Sequence, residues 1–247
     1  MMNRQMFCLL LTCALFFTTS QYGSVVAKEK DRKYYETRGE IVWEVPTDRK
    51  VIALTFDDGP DPAYTVQIAE LLRQYNARAT FFVVGSRVKK YPSVVRQLVL
   101  DQHELANHTF THPDLRRISP EKLRAEVDSA QEAIYSATGV KTKLFRPPGG
   151  YYNESLVRVA KESGFQVIMW SWHQDTRDWS DPGVPKIVSK VLNNAHNGDI
   201  VLFHDFGGNR QQTVDALRQI LPELKKRGYQ FVTVSELMQD QHKKVGK

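Results

Sequence analysis

The chain has 247 residues, 41% hydrophobic and 25% charged, fractions of an ordinary globular protein that exclude collagen-like, low-complexity and disordered classes. Its formal charge of +6 comes from 34 basic against 28 acidic residues, with no dense Lys/Arg block in the body of the chain. Such a balance does not point to nucleic acid and equally suits work against an anionic surface, while the lack of any 18-residue apolar run excludes a helical transmembrane protein.

In chain order, Arg4 precedes an apolar run over 6–17 and a polar stretch that ends Val25-Val26-Ala27. A basic start, a short apolar segment and a small-residue cleavage site are the pattern of a secretory signal peptide over 1–27. Cleavage after Ala27 is expected, which lowers the formal charge to +5; an uncleaved N-terminal anchor is the alternative. Both cysteines, Cys8 and Cys13, fall inside this segment, so the mature chain is expected to carry no disulfide and no thiol chemistry. Residues 28–49 read as a lead-in, charged and flexible up to Tyr35, then weakly alternating over 35–45 as an edge strand, with Trp43 as packing.

From Val51 onward, short β-rich runs alternate with helical patterns. The predicted strands are 51–56, 79–84, 104–107, 144–146, 167–171, 200–204 and 231–234. Asp61-Pro62 predicts an N-cap with proline at the first helical position, leading into Val66, Ala69 and Leu72. Ser119-Pro120 repeats the device ahead of the stripe Leu123, Val127, Ala130, Ile134 and Ala137, which Gly139 stops. Asn153 opens a helix that Gly164 closes, and Val214, Leu217, Leu221 and Leu224 mark a long last one with a kink expected at Pro222. Seven strands alternating with helices predict one parallel α/β domain, open sheet or barrel, without repeat, linker or appended module.

The polar residues then gather at strand ends. Asp57 and Asp58 follow the first strand, His108 and His112 the third; Arg146 ends the fourth, Asp175 to Trp179 follow the fifth, and His204 ends the sixth. In a βα barrel such ends meet at one rim, where active sites sit. His108 and His112 are four apart, so on a helical turn both imidazoles can share a metal, and Asp58 completes two histidines and a carboxylate with positions left for water and substrate. Asp57-Asp58-Gly59-Pro60 also has the composition of a mere turn. Two carboxylates directly after a buried strand each need a charge partner, however, and a metal for one with Arg146 for the other supplies both. His103, His196 and His242 read as surface or turn histidines, His173 as structural, and Asp175 as a loop support.

Thr55-Phe56-Asp57-Asp58-Gly59-Pro60, His108-Thr109-Phe110-Thr111-His112, Arg146-Pro147-Pro148-Gly149-Gly150, Asp175-Thr176-Arg177-Asp178-Trp179 and Leu202-Phe203-His204 resemble, in order, the five motifs of the polysaccharide deacetylases, the NodB-homology domains of carbohydrate esterase family 4. The resemblance covers roughly 50–238. It implies a distorted, incomplete (β/α) barrel of about seven parallel strands, with the catalytic domain over 50–240 and a tail over 241–247. It also implies metal-dependent removal of acetyl groups from N-acetylglucosamine-containing polysaccharide, peptidoglycan ahead of chitin or chitooligosaccharides. O-acetyl xylan ester hydrolysis and a non-catalytic carbohydrate-binding homologue are the alternatives.

Carried over motif by motif, Asp58, His108 and His112 hold a divalent metal, zinc by family habit, with cobalt or another divalent ion as alternatives. Asp57 is the catalytic base with Arg146 as its partner, and His204 is the acid with Asp178 as its partner. Trp179 and Leu202 line the acetyl-methyl pocket. Many members of the family carry an aromatic residue where Gly149 stands; the backbone N–H that serves as an oxyanion donor survives here, but a side-chain wall is lost. The expected setting is a monomer, secreted or cell-wall associated, that acts on acetylated polysaccharide and not on nucleic acid.

Overall fold

One curled parallel sheet, wrapped by helices on its outer face, places the predicted site residues on a common rim. The computed structural model describes residues 30–245, with side chains described through 239, so the predicted signal segment 1–27 lies outside the described residues. In chain order the elements are α1 (Arg32–Thr37), β1 (Ile41–Val42), β2 (Val51–Asp57), α2 (Tyr64–Gln74), β3 (Thr80–Val83), α3 (Gly85–Lys90), α4 (Pro92–Leu100), β4 (Glu104–Asn107) and α5 (Pro120–Thr138). They continue with β5 (Leu144–Phe145), α6 (Glu154–Glu162), β6 (Gln166–Ile168), α7 (Val184–Leu192), β7 (Ile200–His204), α8 (Gln211–Lys226), β8 (Gln230–Phe231) and α9 (Val234–Val245). The strand order is β1-β6-β5-β4-β3-β2-β7, all ladders parallel, with β8 paired to β2. This is the distorted, incomplete barrel. No helix among the described residues is long and apolar enough to cross a membrane.

Strand alternation divides the core into layers. The outward residues Ile52, Leu54, Phe56, Phe81, Val83, Val201 and Phe203 pack under α2, α7 and α8. Phe56 stacks on Phe81 and Phe203 with ring centroids 5.0 and 5.5 Å apart. The opposite set, Val51, Ala53, Phe82, Ala106, Leu144, Ile168 and Ile200, fills the barrel, and Val234 and Leu237 of α9 plug its lower end. On that same inward face of β2, Val51 and Ala53 give way to Thr55 and Asp57, so the interior turns polar toward the rim. Between the edge strands β1 and β7 no regular ladder closes the barrel. Residues 171–176 lie along β7 instead: Ser171 N–H donates to Ile200 O (3.0 Å), and Asp175 bridges Leu202 in parallel.

Several sequence expectations are corrected here. The predicted flexible lead-in is folded: Asp31 caps α1 by accepting from Tyr34 N–H, and Tyr35, Ile41, Trp43 and Val45 are buried. Hydrophobic residues every few positions in a charged stretch are enough to dock it on β6. The fifth predicted strand stops at Ile168 because the chain leaves the ladder for the seam, and the last is only Gln230–Phe231 because α9 starts at Val234. That helix runs on through 241–245, positions expected to be tail. Asp61 caps a turn ahead of the helix, accepting from the N–H groups of Ala63 and Tyr64, so Pro62 precedes α2 rather than opening it. The long α8 continues unbroken across Pro222. His103 is not on the surface; it is buried, its Nδ1 accepts from Ala79 N–H, and burial pushes its pKa down to about 4.

The turn into β7 makes a demand on backbone geometry. Gly198 adopts φ +88°, its carbonyl accepts from Val45 N–H, and a Cβ there would overlap the Val45 carbonyl oxygen. Gly198→Ala should therefore destabilise the fold by about 2 kcal/mol or more, from left-handed strain plus overpacking. An unchanged urea midpoint would show that the turn has room this geometry denies it.

Candidate active site

Parallel pairing puts the base and acid candidates side by side, because Asp57 and His204 are register partners at the ends of adjacent strands β2 and β7. Asp57 is buried, and its Oδ1 accepts from Arg146 Nη1 at 2.7 Å. Arg146 has no solvent exposure, and each nitrogen of its guanidinium has an acceptor. Nη1 also donates to Thr55 Oγ1 (2.8 Å), Nη2 to Met169 O (2.7 Å) and Nε to Ile168 O (3.3 Å). Burial pulls the Arg146 pKa below its usual value, and Asp57 works against that pull. With Oδ1 taken, Asp57 Oδ2 points toward the histidines, 3.9 Å from His108 Nε2.

His108 and His112 do converge, but not on a helical turn. The 108–112 segment is a loop in which Thr109 (φ 66°) and His112 (φ 58°) adopt left-handed backbone conformations. Asn107 accepts from Thr109 N–H, Thr109 Oγ1 accepts from His112 N–H, and Glu126 on α5 accepts from the N–H groups of Phe110 (3.0 Å) and Thr111 (2.7 Å). The two rings meet as the spacing suggested, but through a loop and not a helical turn.

Whether these groups suit a cation is decided by their protons. His108 Nδ1 donates to Arg146 O at 2.7 Å, so the neutral ring presents a lone pair at Nε2. That Nε2 lies 3.4 Å from Asp58 Oδ1, and His112 Nε2 lies 3.1 Å from the same oxygen. Asp58 Oδ1 is buried without a well-formed hydrogen bond. Burial alone would raise the Asp58 pKa, yet the facing imidazoles hold it well below the usual carboxylate range. The Asp58 carboxylate in turn raises His112. Around an ion with bonds of about 2.0–2.1 Å, tetrahedral donors sit about 3.3 Å apart. The three donor atoms, an anion and two ring nitrogens, therefore fit a divalent metal.

On the other side of Asp57, His204 Nδ1 is 2.7 Å from Asp178 Oδ1. Burial opposes the imidazolium, but the Asp178 hydrogen bond and charge, followed by Asp57 and Asp58, raise the His204 pKa to about 9. Asp178 is itself pinned: its Oδ2 accepts from His204 N–H (2.9 Å) and Thr213 Oγ1 (2.7 Å), and its carbonyl accepts from Arg210 and Gln212. The Asp175 carboxylate accepts from Arg177 N–H. Leu202 is buried two residues before His204, on the same face of β7. Trp179 is 52% exposed, with the Arg177 guanidinium 5.5 Å from its ring. Gly149 is exposed at φ +65°, and a Cβ there would meet nothing within 4 Å.

The sequence expectation missed Asp205. This buried carboxyl accepts from Gly59 N–H (2.9 Å) and Thr65 Oγ1, and a Cβ at Gly59 would overlap it. Burial, opposed by Thr65 and reinforced by the Asp58 charge, pushes its pKa up to about 7. It holds the turn that presents Asp58. A charged residue directly after a buried strand was the signal that found Asp57, and the same signal marks Asp205.

Residues 44–168 match the family model for polysaccharide deacetylase. A peptidoglycan-N-acetylglucosamine deacetylase of Bacillus cereus is 52% identical over 211 residues, 85% of this chain and 99% of that protein. A chitooligosaccharide deacetylase of Azorhizobium caulinodans is 36% identical over 197 residues, 75% of this chain and 93% of that protein. Among solved structures, a peptidoglycan N-acetylglucosamine deacetylase in complex with an N-oxidanyl-benzamide superposes with TM-score 0.80 at 32% identity, covering 84% of this chain and 97% of that one.

The Glu126 anchor yields a test that does not depend on turnover. Glu126→Ala removes the acceptor that fixes the histidine loop without touching a candidate metal donor. Affinity for a divalent ion should fall about 10–100-fold, the usual cost of losing an outer partner, as read by competition with a chromophoric chelator. An unchanged affinity would mean that Asn107 and Thr109 hold the loop by themselves.

Proposed function

Because the chain belongs to the polysaccharide deacetylase family, we propose that it hydrolyses N-acetyl groups of N-acetylglucosamine-containing polysaccharide, with peptidoglycan first and chitooligosaccharides second. The observation that carries this reading is the pairing of Asp57 and His204 on adjacent strand ends, beside the donor set Asp58, His108 and His112. The names of the two relatives support the substrate order. The apolar start of the chain supports export to the cell wall, as a secreted protein or one held by an uncleaved anchor.

A divalent ion at Asp58, His108 and His112, zinc in our reading, supplies Lewis acidity toward the acetyl carbonyl and a water molecule. The chain does the rest. Arg146 occupies Asp57 Oδ1, which leaves Oδ2 to take the proton of the attacking water. The Gly149 N–H donates to the oxyanion, and its missing side chain leaves that wall of the groove open. An amine leaves poorly unless protonated. His204 meets that need: Asp178 fixes Nδ1, so Nε2–H delivers the proton to the departing nitrogen. Leu202 and Trp179 border the acetyl methyl. Arg146 and Asp178 are positioning residues, because each acts through its partner.

Acetate release from peptidoglycan, chitin oligomers and acetylxylan, measured side by side before and after chelation, tests this function. Release from the N-acetylated polymers that chelator abolishes and added metal restores is expected. Release from acetylxylan alone would make the protein an ester hydrolase.

The acid–partner pair predicts a pH effect with a definite sign. Asp178 raises the His204 pKa, so Asp178→Asn should lower it, and the imidazolium should then be lost at lower pH. The alkaline limb of kcat/KM should move downward by about 1–3 pH units, with an activated aryl acetate much less affected than an N-acetyl sugar. Asp175→Asn should leave that limb in place; a shift there and none for Asp178→Asn would reverse the assignment.

A further inference from the structure

A second group of two histidines and a carboxylate lies at the opposite end of β7 from the site described above. Asp199 immediately precedes the strand that His204 ends, so the two groups are separated by about 16 Å of extended chain. His173 Nε2 lies 2.9 Å from Asp199 Oδ1 and 3.3 Å from His196 Nδ1. The three donor atoms all lie within 4.8 Å of one another.

The carboxylate of this group is held in place before any ion arrives. Asp199 Oδ2 accepts from His196 N–H (2.8 Å) and from Gln174 Nε2 (2.9 Å), which leaves Oδ1 facing His173. An ordinary His–Asp pair would need only His173 and Asp199. His196 adds a ring nitrogen aimed at His173, although its side chain is 71% exposed and its ring meets that of His173 only edge-on. Two neutral imidazole nitrogens 3.3 Å apart can share one proton at most, and without it their lone pairs repel. That separation is about the donor spacing of a tetrahedral ion with bonds of about 2.0–2.1 Å. Two imidazoles with one carboxylate suit zinc and its neighbours better than calcium or magnesium.

We propose that His173, His196 and Asp199 form a second divalent transition-metal site, of zinc class, that clamps the barrel seam. Residues 173–178 run beside β7 and the residue before it, with three side-chain contacts at an offset of 26: His173 meets Asp199, Thr176 meets Leu202, and Asp178 meets His204. An ion at the base would thus fasten the same segment whose upper end orients His204. Its effect falls on stability, since it touches none of the reacting groups.

The test titrates the chelator-stripped, untagged full chain with Zn2+ alone and reads stoichiometry by calorimetry and unfolding by thermal melt. The wild type should bind two equivalents. His196→Ala, an exposed substitution, should bind one and keep its deacetylase activity. His112→Ala should also bind one, and its melting temperature should rise with Zn2+, whereas the His112→Ala/His196→Ala double variant should show neither binding nor a rise. One equivalent in the wild type, or two in His196→Ala, would overturn the proposal and leave an ordinary histidine–aspartate pair at this seam.

Discussion

A guanidinium without solvent exposure lies inside the barrel, and the rest of the site is arranged around it. Burying such a charge is costly unless an anion and enough acceptors meet it. Arg146 finds its anion in Asp57 on β2 and its acceptors in Thr55 and in the carbonyls of Ile168 and Met169, where the chain leaves β6. One side chain thereby ties the centre of the sheet to the seam. It also selects which oxygen of Asp57 stays free. The backbone carbonyl of the same residue accepts from His108 Nδ1, so it sets the tautomer that turns Nε2 toward Asp58. Fold closure, the orientation of Asp57 and the tautomer of His108 depend on one residue.

Four aspartates crowd this rim, and what separates them is what each one meets. Asp57 meets a guanidinium, Asp58 two imidazoles, Asp178 an imidazole with a hydroxyl, and Asp205 only a backbone N–H and a hydroxyl. Asp205, buried and in no salt bridge among the described residues, is driven up to about 7, while Asp58 is driven far down. Divergent environments for like groups are how one pocket assigns distinct protonation roles to chemically identical side chains. The raised pKa of His204 follows from the same crowding, since three of these carboxylates favour its charged form. A cation held on Asp58, as proposed, would offset that residue's share and leave Asp178 as the principal support.

Much of this was legible in the sequence because strands buried on both faces leave near-continuous apolar runs. β2, β3, β4 and β7 fall within a residue or two of the predicted positions, and the polar residues at their ends converge as a parallel barrel requires. What periodicity could not show is anything set by loop conformation. The histidine pair sits on left-handed residues held by Glu126, a contact 15 or more positions away that leaves no local pattern. The short helices α3, α4 and α7 lack long apolar stripes and went unread, and the lead-in hid a buried Tyr35 and Trp43 among its charges. His103 shows the same limit: a histidine in a polar stretch looks exposed until the fold covers it.

The division of labour between the two adjacent aspartates is the central claim, and Asp57→Asn separates it most directly. Asparagine keeps an oxygen for Arg146 but removes the carboxylate charge and with it the ability to accept a proton, so the buried guanidinium loses its anion and the fold has to be checked alongside. Divalent-metal affinity and kcat should be measured on the same folded preparation, with circular dichroism to confirm the fold. The account predicts affinity within about threefold of wild type and a kcat lower by about 10²–10⁴, the usual worth of a positioned base. Loss of the metal together with turnover, or retention of turnover, would contradict it.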